Sequence, residues 1–346
     1  MTGILGWDIG GANLKAAWLP SAPGAAGQVR TTSRSFEIWR GADRLQATLQ
    51  DMAAELAPEP PQAIALTMTA ELADVFSTKL EGVLFVLRSV TGAFPDYPCY
   101  VLSLSGEFVP VEQARLAPLD FAASNWVATA RYLSRQFPHC LMVDVGSTTT
   151  DIIPILAGEV SSQGRTDLDR LLAGELVYTG LLRTHLAAIV HSVPVGGQFC
   201  PVSSEYFAIS GDVHLILGHI RPSDYDCPTP DRRPASPDTA RARLARLVCA
   251  DTDMLAQDEI DRMAAYIYQQ QLSQVERAIS QVLSRLPGSR PIPVVTLGSG
   301  AFIAAQAARR LGLPVTNLAE TWGAREAQVA PSLAAAHLLA EQWLQA

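Results

Sequence analysis

The chain has 346 residues, 48% of them hydrophobic and 17% charged, which suits two ordinary domains built around real cores and not a disordered polymer. Its net charge of −8, from 34 acidic and 26 basic residues, argues against a general nucleic-acid binder, which needs clustered Lys and Arg to neutralise phosphates. Five cysteines with no close pair argue against a disulfide framework and favour a reducing cytoplasm. The start of the chain enters a strand directly, without the basic and apolar regions of a secretory signal. Its longest uncharged stretch, around LAAIVHSVPVGGQFCPVSS, is too broken by Pro and Gly to span a bilayer. A protein in solution is expected, with neither nucleic acid nor membrane as partner.

In chain order, ILGWDIG is an apolar run entering a glycine turn, and LKAAWLP continues as the second strand of a hairpin. A Pro/Gly/Ala-rich loop follows at 20–27, then SFEIW at 35–39 reads as a strand. Spacing of three and four makes 42–57 an amphipathic helix, stopped by the prolines at 58, 60 and 61. AIALTMT at 63–69 is a buried strand, with ELADVF and KLEGVLFVLRSVTG helical behind it, and YVLSLSGEFVP gives more strand. A helix opens near Ser124 or Asn125, where a hydroxyl or amide would cap it.

The order then restarts. CLMVDVG is a strand into a glycine turn, TDIIPILAG a second strand, and VSSQG a loop. Strand and helix mix through 167–190, the Pro/Asp/Ser-rich 221–239 is an ordered loop, and long helices fill 240–285. PIPVVTLGSG at 291–300 is a third strand into a glycine turn, followed by a helix, a short strand VTNL, and a closing helix at 332–345. Two halves that each open strand, glycine turn, strand imply a duplication. The expected domains are 1–123 and 124–331, the second carrying an insertion at about 185–260, with 332–346 packing back on the first.

The two corners, WDIGGANLKA at 7–16 and VDVGSTTTDI at 143–152, carry the chemistry. A tight glycine turn lets backbone N–H groups converge on an anion. Gly10, Gly11 and Asn13 in one corner, Gly146, Ser147, Thr148 and Thr149 in the other, and Gly298, Ser299 and Gly300 in the third are the candidate phosphate-binding residues. Asp8 and Asp144 would repel phosphate directly, so they are better explained as holding Mg²⁺ or its water shell. Lys15 can neutralise a departing phosphate. Each corner taken alone also reads as an ordinary hairpin turn with local Asp and Thr hydrogen bonds. Two corners facing one another would clamp a di- or triphosphate. Neither GxxxxGK[ST] nor GxGxxG occurs.

DIGGANLK, VDVGSTTTDI and VVTLGSG resemble the two phosphate segments and the adenosine segment of the actin, hexokinase and sugar-kinase superfamily. That resemblance implies a duplicated α/β, ribonuclease H-like fold with two lobes and a cleft between them. Seven segments resemble, in order, the hydantoinase A/oxoprolinase-related proteins of tetrahydromethanopterin-linked one-carbon metabolism: GWDIGGANLKAA, LTMTAELADVFSTKLEGV, SNWVATA, VDVGSTTTDIIPI, GELVYTGLLRT, SSEYFAISGDVHLILG and RLARLVCAD. This second resemblance implies transfer of an aminomethylfuranyl-methyl group from diphosphate to the phenol oxygen of a tyramine- or tyrosine-type acceptor. The product belongs to methanofuran or methylofuran synthesis, and Mg²⁺ is the implied cofactor.

A phenol with a pKa near ~10 needs a base to take its proton. Glu71, after the strand ALTMT, and Glu175 are the candidates; Glu71 in the first turn of a following helix is the bland alternative. Asp74, Lys79, Asn125 and Asp212 are candidate substrate contacts, Lys79 as a cation that could reach a phosphate, with exposed charge or local turn bonding as the competing account. Cys227, Cys249 and Asp251 with the histidines suggest zinc, but no CxxC or HxxxH pair is present, so buried thiols and ordinary histidines are expected. Trp126 and Tyr178 are candidates to pack on an aromatic substrate ring, with a place in the core the favoured account. Two rival functions stay open: an ATP-dependent kinase or amidohydrolase, the one reading in which ATP binds, and a non-enzymatic nucleotide switch. A homo-oligomer is compatible with either.

Overall fold

The computed structural model describes residues 3–20, 28–288 and 291–345. The loop expected at 20–27 lies, from residue 21 on, outside the described residues. The chain divides into two compact units, one of Met1–Cys140, Pro154–Asp169 and Leu318–Ala346, the other of Leu141–Ile153 and Arg170–Asn317.

The first unit is built on a six-stranded sheet of order β3-β2-β1-β4-β5-β6. Its strands are β1 (Gly3–Gly10), β2 (Asn13–Pro20), β3 (Arg30–Ser35), β4 (Ala63–Thr69), β5 (Cys99–Leu102) and β6 (Phe108–Pro110). β1 pairs antiparallel with β2 and parallel with β4, so β1 and β4 end side by side, Gly10 opposite Thr69. That shared carboxyl edge is where open α/β sheets present ligand-binding groups. Central strands read as continuous apolar runs because both faces are covered. Helices Leu45–Leu56 and Lys79–Ala93 supply Leu49, Met52, Val83, Val86 and Val90 to the core around Trp7, Leu14 and Ile64. The final helix Ala330–Gln345 packs on β1, β2, β4 and helix Asn125–Leu133, all within this unit.

The second sheet has the order β10-β8-β7-β13-β14. Its strands are β7 (Cys140–Val145), β8 (Thr150–Leu156), β9 (Glu159–Val160), which pairs with β8, and β10 (Leu176–Val177), together with β13 (Val294–Leu297) and β14 (Val315–Asn317). β11 (Ser192–Val195) and β12 (Gln198–Pro201) form a separate hairpin. β13 lies parallel to β7, with Leu297 opposite Asp144. Each sheet therefore has a strand that ends in a glycine corner, with a parallel neighbour ending beside it. The 27-residue helix Gln257–Leu283 buries Ile260, Met263, Ile267, Leu272, Val275, Ile279 and Val282, the spacing of an amphipathic stripe.

Four local expectations need correction. SFEIW is not a strand: β3 ends at Ser35, and Ile38–Gly41 is a helical turn. The Phe36 and Ile38 amides donate to the Ala12 and Gly11 carbonyls, which pulls this segment onto the first corner. ELADVF at 71–76 forms turns, not helix. The helix starts at Lys79, where the Thr78 hydroxyl accepts from the Glu81 amide and Glu81 accepts from the Ser77 amide, a reciprocal cap that fixes the start. The Ser124 hydroxyl does not cap helix Asn125–Leu133; it bonds the Thr67 hydroxyl at 2.9 Å. Asn125 Oδ1 does accept from the Trp126 amide. Trp126 is buried, but Tyr178, expected in the core, is 59% exposed.

Candidate functional site

In the first unit, the hairpin register sets Asp8 opposite Lys15, and directly opposed residues of a strand pair point to the same face. The Lys15 ammonium stands 4.0 Å from Asp8 Oδ2. Gly10 faces Thr69, and the space a Cβ would occupy on Gly11 is open for 4 Å around, so an anion can approach the backbone there.

Glu71 follows two residues after β4. It is 1% exposed, and its Oε2 has no hydrogen-bond partner among the described residues. Burial pushes its pKa from 4.5 up to about 7, opposed by its own and the Ala123 backbone amides; nearby Asp167 raises it and Lys79 lowers it. Ala123 holds a left-handed backbone, φ 51°, uncommon outside glycine, directly before Ser124. A carboxyl poised near neutrality by burial is the state a general base requires. Lys79, considered for phosphate, instead pairs with Asp167 at 2.6 Å. Asp74 is exposed.

In the second unit, Gly146 N–H donates to the Thr149 carbonyl and closes the corner. The amides of Ser147, Thr148 and Thr149 donate to no other group among the described residues, which leaves three donors for an anion. The segment 180–183 grips the corner from behind: Leu181 N–H donates to Gly146 O, and Leu182 and Arg183 N–H to Ser147 O, each at 2.9 Å. Asp144, next to last in β7, lies beside Gly298, whose φ is +84°. A Cβ at 298 would fall 2.2 Å from Asp144 Oδ1 and 2.4 Å from Val145 O. Gly298→Ala is therefore expected to cost about 1–3 kcal/mol in a urea titration, through backbone strain and displacement of Asp144. Ser299 is exposed, and Gly300 N–H donates to Val145 O.

The remaining candidates sit in ion pairs. Glu175 is fully buried and bonded to Arg285. Asp212, also fully buried, receives Arg243 Nη2 at 2.7 Å and Nε at 2.9 Å, the Tyr225 hydroxyl at 3.2 Å, and the Ile209 amide at 3.1 Å. Neither has the unpartnered oxygen that Glu71 has. Thr67, Thr69, Ala123, Ser124 and Asp167 are site neighbours that the sequence did not single out. Only the proximity of Thr67 and Thr69 to the end of ALTMT could have flagged them.

Each Asp-bearing corner offers one carboxylate with hydroxyls close by. That donor set suits Mg²⁺, which takes one or two carboxylates and keeps waters and substrate phosphate, and it does not suit an all-protein cage. Among the described residues no group of three His, Cys, Asp or Glu could hold a metal. The cysteines form no disulfide among the described residues; burial pushes Cys99 and Cys140 up to about 12, while Cys249 is exposed. No helix of the described residues is long and apolar enough to cross a membrane.

The hydantoinase/oxoprolinase family model matches residues 62–342. Over 340 residues the chain is 36% identical to the (4-{4-[2-(gamma-L-glutamylamino)ethyl]phenoxymethyl}furan-2-yl)methanamine synthase of Methanocaldococcus jannaschii, covering 98% of each. A synthase of the same name from Methanococcus vannielii is 38% identical over 160 residues, 46% of this chain and 71% of that one. Among solved structures, nucleotide-free acetone carboxylase superposes with a TM-score of 0.54 at 11% identity, over 96% of this chain and 70% of that one. At that identity the likeness is one of fold. That shared fold is α/β, built on two sheets that each carry a strand ending in a glycine corner. With a family match running from before β4 into the final helix, and a full-length relative at this identity, the chain belongs to the hydantoinase/oxoprolinase family.

Proposed function

We propose that the chain is a transferase joining an aminomethylfuran-methyl diphosphate to the phenol oxygen of a tyramine- or tyrosine-type acceptor, in methanofuran or methylofuran synthesis. The observation that carries it is Glu71, a buried carboxyl with a raised pKa and one unpartnered oxygen, beside the β4 edge that adjoins the first corner. The name of the relatives supports the same reading, since it describes a phenoxymethyl-furan product.

In this reading the phenol gives its proton to Glu71 Oε2 as its oxygen bonds to the furfuryl CH₂. The bond from that carbon to diphosphate breaks, and the electron pair leaves on diphosphate. The furan ring delocalises positive charge at the CH₂, which favours a loose transition state. Gly10, Gly11 and Asn13 cradle the leaving group, and Lys15 neutralises it as charge develops. The corner Gly146–Thr149, with Gly298, Ser299 and Gly300, is assigned as a second phosphate cradle. Each at its own corner, Asp8 and Asp144 are the residues that would hold Mg²⁺, which would supply charge neutralisation for a phosphate bound there. Asp74, Lys79 and Asn125 are kept as acceptor contacts near Glu71. Glu175 and Asp212 are assigned to architecture, because a carboxylate already matched by arginine is a poor base.

The test is release of diphosphate by the purified protein with Mg²⁺. Release that needs both the furan diphosphate and a phenol is expected, with no ADP formed from ATP; substrate-stimulated ADP release would favour the kinase or amidohydrolase rival. Lys15→Ala should lower turnover about a hundredfold with an unchanged circular dichroism spectrum. Wild-type turnover by that variant would remove Lys15 from the chemistry.

A further inference from the structure

Behind the second corner lies a buried chain of side chains to which the proposed chemistry assigns no role. Gln271, on helix Gln257–Leu283, donates its amide to the Gly180 carbonyl at 2.9 Å and to the Thr179 hydroxyl at 3.1 Å. Its Oε1 lies 2.9 Å from His214 Nε2, and His214 Nδ1 lies 3.1 Å from His219 Nδ1. Gln271, His214 and Thr179 are each 1% exposed or less, whereas His219 is exposed.

The donors in this chain can be assigned one after another. The Gly180 carbonyl only accepts, so the Gln271 amide nitrogen must face it and the amide oxygen must face His214. His214 therefore carries its proton on Nε2. Burial, with His219 nearby, pushes the His214 pKa down to about 3, so the ring is neutral and Nδ1 accepts. His219 then donates from Nδ1. Tyr268 and Phe302 stand edge-on to the His214 ring at 5.5 and 5.4 Å, which keeps it in plane with its partners.

The far end of this chain is the phosphate corner. Gly180 packs so closely on the 147–148 peptide that a Cβ there would fall 2.6 Å from Thr148 N and C and 2.7 Å from Ser147 C. The Thr150 hydroxyl also donates to the Thr179 carbonyl at 2.7 Å. Any shift of the 179–180 peptide is therefore passed directly to the backbone that presents the Ser147 and Thr148 amides.

We propose that Gln271 and His214 are positioning residues that hold the Thr179–Gly180 backbone, and through it the Ser147–Thr148 amides, in the geometry that binds phosphate. The inference rests on the reading of 146–149 as a phosphate cradle. Hydrogen-bond donors must sit within about half an ångström of their productive positions to act on an anion, so a buried brace behind the corner has a direct effect on affinity.

Inorganic pyrophosphate with Mg²⁺ is the probe, read by isothermal titration calorimetry. Gln271→Leu is expected to weaken binding about tenfold and to raise KM for the diphosphate more than it lowers kcat. His214→Gln keeps an N–H donor toward Gln271 Oε1 and should bind within about twofold of wild type. Ile267→Ala, a buried cavity variant on the same helix, should lower stability and leave pyrophosphate affinity unchanged. Thr148→Glu, which puts a carboxylate at the corner where the anion would bind, tests the cradle itself. If Thr148→Glu weakens binding and Gln271→Leu does not, the brace is overturned. If Thr148→Glu binds as wild type, the cradle reading falls and the brace falls with it. Should Gln271→Leu fail to fold, the ¹⁵N spectrum of wild-type His214 decides: an Nε2–H tautomer is expected, and an Nδ1–H tautomer overturns the proposal.

Discussion

Glu71→Gln is expected to lower kcat/KM by about 10²- to 10⁴-fold, the range for loss of a positioned general base, while the protein stays folded. In the wild type, log kcat/KM should rise with pH through about 7, as the buried carboxyl loses its proton, and level off above. That limb should vanish in the glutamine variant. Stability should move the other way. The folded state holds a proton on Glu71 between pH 4.5 and about 7 that the unfolded chain has already lost, so stability is fully present below about 4.5 and falls as pH rises through that window. Glutamine removes the penalty. Glu71→Gln is thus expected to melt higher than wild type at pH 8, by up to about 3 kcal/mol, and to match it near pH 4. Equal melting at both pH values, or an unchanged pH–rate profile, would show that Glu71 is neither buried as a charge nor the base.

The second large effect is structural. Arg243 is fully buried and joins Asp212 to Asp231, its Nη1 3.1 Å from Asp231 Oδ1, and Arg246 reaches the same Asp231 at 3.3 Å. Together with Tyr225 on Asp212, this network fastens 221–239 to helices Ser210–Ile216 and Pro237–Arg246. A solvated loop of this Pro- and Asp-rich composition would otherwise lose little by detaching. Arg243→Met leaves Asp212 as an unmatched buried charge, and the expected loss is about 3–5 kcal/mol in urea unfolding. Asp212→Asn combined with Arg243→Met should recover most of that loss, because the pair then leaves without a charge. A destabilisation by Arg243→Met below about 1 kcal/mol would mean that the network is solvated in solution.

What could be read from the sequence was local. The corners were visible because an Asp two residues ahead of a Gly, followed by small or hydroxylated residues, marks a turn by itself, and each is where the strand order predicted. β3 was misplaced because RTTSRS is a polar strand of exposed and half-buried residues with none buried, so no apolar period marked it. The neighbouring SFEIW had the apolar composition of a strand, but two backbone bonds to the first corner bend it away. Glu71 was a candidate by position alone. What gives it a raised pKa is burial beside a left-handed Ala123, 52 residues downstream, and that follows only from tertiary packing. Lys79 read as a cation for phosphate because its partner, Asp167, lies 88 residues away. Gln271 carried no signal at all. A polar residue on the apolar face of a long helix reads as a defect until its partners are in place.

The most direct test of the account uses a phenol acceptor labelled with ¹⁸O in its hydroxyl, the furan diphosphate, Mg²⁺ and purified protein, with products weighed by mass spectrometry. The label should appear in full in an aryl ether whose mass equals both organic fragments, with unlabelled diphosphate released beside it. Labelled phosphate species, or an unmodified phenol alongside a phosphorylated one, would contradict attack of the phenol oxygen on the furfuryl carbon.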